Sequence, residues 1–176
     1  MPDPLENISA QTLYDTGIKL ANGGDLIRAE QYLAAASNKG FPEEEVMPKL
    51  IRVCVAAGRL ESALNYATPY LKSHPRAWSL RYLVGTLQQG VGQANDAKRN
   101  YEIVLRDREN FADAHYQLGL LLMEEEDTDE GEKHLRRYLE LEPEGHFSEE
   151  VEGILENGAL PIEKIESTPI PVEGSP

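Results

Sequence analysis

The chain has 176 residues, 40% of them hydrophobic, with 31 acidic against 17 basic side chains and a net charge of −14. This charge argues against nucleic acid or anionic lipid as a partner, because both are polyanions. The apolar runs are far shorter than the ~20 residues that span a bilayer, so we expect no membrane insertion. The start is neither basic nor apolar, so we expect no signal peptide, and the single cysteine, Cys54, suits a reducing cytoplasm.

After a predicted lead-in over residues 1–9, small and aromatic residues recur every 34 positions across residues 10–145. A period of this length indicates a repeat architecture. Residues separated by a multiple of 34 positions are called in-phase. The first half of the repeat has in-phase tyrosines at Tyr14, Tyr82 and Tyr116 and in-phase glycines at Gly17, Gly85 and Gly119. The second half has in-phase small residues at Ala29, Ala63, Ala97 and Gly131. The sequence therefore predicts four copies in register.

Each copy divides into two helical segments at a turn, and glycine supplies the turn in the first three copies. The fourth turn, residues 126–129, has no glycine. The recurring small residues predict close packing of the two helices of each copy. Pro48 conflicts with the first helix of the second copy, which predicts either a late start near Met47 or a kink.

These residues resemble the tetratricopeptide family, whose unit is a 34-residue helix–turn–helix. The best match is the fourth copy, with Leu118-Gly119, Gly131, Leu135 and Pro143; Ile51 replaces the glycine of the second copy. The resemblance implies an all-α, right-handed α-solenoid of four repeats plus a C-terminal capping helix. We expect that capping helix within residues 146–158, opened by a capping Ser148, and a flexible, proline-rich tail over residues 159–176.

No motif of catalysis is present, so we expect no enzyme, no cofactor and no metal. The four histidines form no zinc-binding pair and are interpreted as surface residues, and Cys54 as a buried packing residue. The acidic run of residues 124–132 lacks calcium-loop spacing and is interpreted as a solvated turn, with docking of a basic partner as the alternative.

In this family the first helix of each repeat lines a concave groove, which implies a protein or peptide partner. The groove residues predicted by helical spacing are Tyr14, Ile18, Lys49, Arg52, Tyr82, Gln89, Tyr116, Leu120 and Met123. The alternative is that the tyrosines pack between helices. We expect an adaptor or scaffold; the other readings are a secretion-type chaperone, which fits the size and acidity, and a self-associating homo-oligomer.

Overall fold

The computed structural model describes residues 5–158 and 160, and in this part of the chain the backbone forms α-helices and no β-strand. The helices are α1 (Ala10–Asn22), α2 (Leu26–Asn38), α3 (Glu43–Ala56), α4 (Leu60–Ser73), α5 (Trp78–Gly90), α6 (Ala94–Asp107), α7 (Ala112–Glu124), α8 (Thr128–Leu141) and α9 (Ser148–Asn157). The described residues divide into two compact units, unit 1 with α1 to α4 and unit 2 with α5 to α9. In each unit every helix packs against the next one along the chain, which confirms the predicted all-α solenoid of helical repeats.

The turn inside each repeat places one residue in the left-handed backbone region. Gly24, Gly58 and Gly92 have φ values of 83°, 69° and 79°. The in-phase residue of the fourth repeat is Glu126, with a φ of 63°. An L-residue with a side chain is strained by about 1–2 kcal/mol in this conformation, so the fourth turn keeps the shape of the others at a cost in stability.

Glycines lie where the two helices of a repeat come closest. A Cβ added to Gly17 would lie 2.7 Å from Leu33 Cγ, and one added to Gly119 would lie 2.8 Å from Leu135 Cγ. At Gly85 the obstacle is the Tyr101 ring, at 2.8 Å. The same pattern holds on the second helices, where Gly131 faces Met123 and where Ala29, Ala63 and Ala97 are fully buried. Side chains any larger would force these helices apart.

Pro48 lies inside α3, which begins at Glu43, so the predicted late start near Met47 is wrong. Pro48 has no amide N–H, so α3 lacks the hydrogen bond from residue 48 to the carbonyl of Glu44. Three acidic residues in the first turn of α3 favour an early start, because the N-terminal end of a helix dipole is positive.

The lead-in is attached to unit 1 by one lysine. The Lys39 ammonium donates hydrogen bonds to the carbonyl oxygens of Leu5, Glu6 and Ile8, at 3.0, 2.6 and 2.7 Å. An ammonium group has three N–H donors, so these three carbonyls satisfy it completely. Ser9 precedes α1, and its hydroxyl oxygen caps that helix by accepting a hydrogen bond from the Thr12 amide.

Helix α9 covers one end of unit 2 and ends at Gly158, which has a φ of 64°. The predicted capping role of Ser148 is wrong, because its hydroxyl donates to the carbonyl of Glu142 and Phe147 occupies the cap position. On α9, Val151 and Ile154 are buried and Leu155 is partly buried. The predicted tail lies outside the described residues, apart from Leu160.

Candidate functional site

A groove of about 730 Å³ lies between α1 and α3 of unit 1. It brings together four of the predicted partner-binding residues, Tyr14 and Ile18 from α1 and Lys49 and Arg52 from α3. Residues three or four positions apart share one face of a helix, which is why each pair faces the same space. We call this space the α1–α3 groove; it is also lined by Asp15, Lys19, Ala21, Asn22, Leu26, Val53 and Ala56.

Tyr14 forms one end of the α1–α3 groove, and its ring is held in place by Phe41. The two rings are stacked, with centroids 4.2 Å apart and an angle of 11° between their planes. Burial raises the pKa of the Tyr14 hydroxyl, and the nearby carboxylates of Glu45 and Asp15 raise it further. The hydroxyl therefore stays protonated at neutral pH and is available as a hydrogen-bond donor in a fixed position.

The remainder of the α1–α3 groove combines an apolar floor with basic side chains. Ile18 is half-buried and Val53 is buried, whereas Lys19, Lys49 and Arg52 are exposed. Within residues 5–158 and 160, neither Lys49 nor Arg52 forms an ion pair. The groove thus combines an apolar base with exposed basic side chains, and the acidic Asp15 also lines it.

Two predicted groove residues of unit 2, Tyr82 and Gln89, are half-buried and engaged in packing. The Tyr82 ring lies edge-on to Phe111, with centroids 4.9 Å apart, and 5.7 Å from Tyr101. The amide oxygen of Gln89 accepts a hydrogen bond of 2.8 Å from the Tyr101 hydroxyl. In unit 2 these residues therefore tie α5 to α6 and to the start of α7.

The three predicted groove residues of the fourth repeat lie in the core. Tyr116, Leu120 and Met123 are 1%, 6% and 9% exposed. Tyr116 stacks on Phe147 at 4.1 Å, and Val151 and Ile154 of α9 belong to the same apolar cluster. For this repeat the alternative interpretation, packing between helices, describes the structure, because α9 and the residues around it cover the face that a partner would need.

The aromatic partners of these tyrosines were missed in the sequence. Phe41, Phe111 and Phe147 each contact the tyrosine of the preceding repeat. The sequence signal for these contacts is a phenylalanine that follows each of the three tyrosines by 27 to 31 residues. It places an aromatic ring just before the next first helix, where consecutive repeats meet.

Residues 85–146 match the family model of the tetratricopeptide repeat. This match identifies residues 85–146 as tetratricopeptide repeats. No curated protein matches its sequence. Its fold is similar to that of solved tetratricopeptide structures, and at the identities below this likeness shows the fold alone.

Three of these structures illustrate the likeness. A tetratricopeptide repeat protein from Parabacteroides merdae ATCC 43184 is 23% identical with a TM-score of 0.74; the match covers 84% of this chain but only 59% of that protein, less than two thirds of its length. YrrB, described as having an unusual peptide-binding site, is 17% identical with a TM-score of 0.74, covering 85% and 77% of the two chains. MamA from Desulfovibrio magneticus RS-1 is 19% identical with a TM-score of 0.73, covering 89% and 86%.

The fourth tetratricopeptide repeat contains a histidine pair that the sequence reasoning placed on the surface. His115 Nδ1 and His134 Nδ1 are 2.8 Å apart, and His115 Nε2 lies 2.8 Å from the carbonyl oxygen of Glu109. Because the carbonyl only accepts, His115 carries its proton on Nε2, and His134 donates from Nδ1 to the His115 Nδ1 lone pair. Burial lowers the pKa of both rings, and for His134 the neighbouring His115 lowers it further.

A buried carboxylate in unit 1 controls the environment of Cys54. Glu30 is 7% exposed and forms an ion pair of 3.0 Å with Arg59. Burial and the proximity of Glu30 raise the pKa of the Cys54 thiol to about 12. The thiol is therefore protonated at neutral pH, which makes it a packing residue and a poor nucleophile.

Two absences hold for the described part of the chain. No group of three or more histidine, cysteine, aspartate or glutamate side chains there is placed to hold a metal ion. None of the helices in residues 5–158 combines the length and hydrophobicity needed to cross a membrane.

Proposed function

We propose that this tetratricopeptide repeat protein is a non-catalytic adaptor or scaffold that binds a polypeptide segment of a partner in the α1–α3 groove. The tetratricopeptide fold supports a role as a protein–protein interaction module and is typically not enzymatic. The observation that carries the proposal is the groove itself, where an oriented tyrosine, an apolar floor and exposed basic side chains face one recess.

Each part of the α1–α3 groove contributes differently to the affinity for a partner. Tyr14 offers a large, rigid contact surface and loses little conformational entropy on binding, because Phe41 already holds its ring. Ile18 and Val53 offer an apolar floor for a side chain of the partner. Lys49 and Arg52 fix the direction of the bound segment by attracting its carboxylates.

The likeness to YrrB supports a peptide as the ligand, since that protein has a peptide-binding site on the same fold. The buried thiol of Cys54 supports placement in a reducing cytoplasm.

The test is partner capture from cells that express the protein natively, with a photo-crosslinking amino acid at position 49 of the full chain. The partner identified in this way is then purified, and its affinity is measured for Ile18→Asp, for Arg52→Glu and for the control Lys72→Glu, an exposed lysine of α4 in the same unit. We expect at least a tenfold loss of affinity for the first two variants and none for the control. Equal affinities for all three, with unchanged circular dichroism, would place the binding surface elsewhere.

The same capture distinguishes a scaffold from a dedicated chaperone. In a pulse–chase experiment a scaffold's partner remains bound, whereas a chaperone's client leaves as it matures. Light scattering of the purified chain tests self-association.

A further inference from the structure

The charged residues at the α1–α3 groove follow the same order on both of its helices. On α1, Asp15 precedes Lys19 by four positions. On α3, Glu45 precedes Lys49 by four positions and Arg52 by seven. Residues with these spacings share one face of a helix, so each helix presents a stripe that begins with a carboxylate and ends with a basic side chain. All five of these residues are exposed.

The two acidic residues meet at the Tyr14 end of the α1–α3 groove. Burial raises the pKa of the Tyr14 hydroxyl, and the carboxylates of Glu45 and Asp15 raise it further, so both carboxylates lie near this one group. Lys19 follows Tyr14 by five positions on α1, which is about 7.5 Å along the helix axis. The groove therefore has a negative end beside Tyr14 and a positive end beyond Ile18.

Neither stripe neutralises its own charges. Within residues 5–158 and 160, no ion pair joins Asp15 to Lys19 or Glu45 to Lys49, although a spacing of four residues would allow one. The Asp15 carboxylate instead accepts a hydrogen bond of 3.0 Å from the side-chain amide of Gln11. The separated charges are thus available to a ligand whose charges have the complementary order.

The length of the α3 stripe fits a helical ligand. From Glu45 to Arg52 the helix rises about 10.5 Å, and a second helix laid along the groove covers the same distance in seven residues. Such a helix places its residues i, i+3 or i+4, and i+7 on one face, with the middle residue opposite the floor of Ile18 and Val53. Three residues on one face of an extended segment span about 13 Å, which exceeds the length of the stripe.

We propose that the segment bound in the α1–α3 groove is an amphipathic helix of the partner that carries a basic, an apolar and an acidic residue in succession on one face. The inference rests on the proposed function and specifies its ligand. The basic residue pairs with the carboxylates of Glu45 and Asp15, and the apolar residue packs on the floor. The acidic residue pairs with Lys19 and Arg52. A uniformly acidic helix would place like charges together at the Tyr14 end, and a uniformly basic helix would do so at the other end, which lowers the affinity of both.

The test selects peptides on the immobilised full chain from a phage-displayed library. The library contains helix-forming peptides of about 15 residues, randomised among alanine, leucine, glutamine, lysine and glutamate. Peptides that bind the full chain but not its Ile18→Asp variant are groove-dependent. We expect lysine, leucine and glutamate at i, i+3 or i+4, and i+7, in either chain direction, at least five times as often in these peptides as in the unselected library.

The tightest groove-dependent peptide is then measured by fluorescence anisotropy against charge variants of the full chain. The double variant Lys49→Glu, Arg52→Glu should weaken binding at least tenfold, and the control Lys72→Glu should leave it unchanged. A second peptide, with lysine in place of each glutamate, should bind the double variant at least fivefold better than the first peptide does. A misfolded variant would not show this gain.

A second library of fully random peptides, selected in parallel, separates this inference from the proposed function. Groove-dependent peptides of uniform charge, or without the charge order, would overturn the inference and leave the proposed function standing. A double variant that binds the first peptide as tightly as the unchanged chain does would have the same consequence. If neither library yields a groove-dependent peptide, both ideas are wrong.

Discussion

Replacing Glu126 with glycine should stabilise the protein, because it removes a left-handed residue that carries a side chain. Glu126 has a φ of 63°, whereas the in-phase residues Gly24, Gly58 and Gly92 are glycines with similar φ values. The strain relieved is about 1–2 kcal/mol. Glycine also gains about 0.5–1 kcal/mol of conformational freedom in the unfolded chain, which opposes the effect. We therefore expect Glu126→Gly to raise the free energy of unfolding by about 0.5–1 kcal/mol.

Urea unfolding followed by circular dichroism measures this change, and a chain of this length should also melt roughly 2–4 °C higher per kcal/mol. Glu126→Ala is the matched control, since it removes the same charge from the acidic turn but keeps a Cβ in the left-handed region. The reciprocal variant, Gly92→Ala, should lower stability by about 1 kcal/mol for backbone reasons alone, because an added Cβ there meets nothing within 4 Å. If Glu126→Gly is no more stable than Glu126→Ala, strain in this turn does not limit stability.

Two further predictions concern unit 2. Gly119→Ala should lower the free energy of unfolding by about 1–3 kcal/mol, because the new Cβ would lie 2.8 Å from Leu135 Cγ. Gly153→Ala in α9 should raise the free energy of unfolding by about 0.5–1 kcal/mol, because the new Cβ would meet no atom within 4 Å. Urea titrations of both variants measure these changes, and a stabilised Gly119→Ala would contradict the close packing. Burial holds the pKa of His115 and His134 below the ordinary value, so the unfolded chain binds more protons below about pH 6.5, and stability should fall as the pH drops from 7 toward 5.5. His134→Gln should flatten that dependence in unfolding experiments at successive pH values, and the exposed-site control His146→Gln should not; an unchanged slope in His134→Gln would show that the pair does not titrate in this window.

The repeat period determined what could be predicted from the sequence. Small residues at one phase, such as Gly85 and Ala97, indicated paired helices, and the structure contains them. The period also places Tyr14 and Tyr116 at equivalent positions, and both stack on a phenylalanine, at 4.2 and 4.1 Å. The period does not show which residues pack over each position. Tyr14 and Tyr116 were therefore both predicted to line a groove, although Tyr14 is half-buried and Tyr116 is 1% exposed.

Polar side-chain contacts between two helices could not be predicted from the repeat period or from helical spacing. His115 and His134 are 19 positions apart on α7 and α8, and their contact depends on the relative rotation of the two helices. The ion pair between Glu30 and Arg59 likewise joins α2 to the residue before α4. Helical spacing describes one helix at a time, so it identifies faces but not the partners across them.

The difference between the first and fourth repeats has a physical cause that bears on function. A first helix in a repeat array exposes its apolar positions unless another segment packs on them. In unit 2, Val151 and Ile154 of α9 share one apolar cluster with Tyr116, Leu120 and Met123, and Phe147 and Leu160 pack against that cluster. In unit 1 the in-phase Tyr14 and Ile18 line the α1–α3 groove beside Lys49 and Arg52. The same 34-residue pattern thus gives a closed core in one repeat and an open groove in another, and what covers each first helix decides between them.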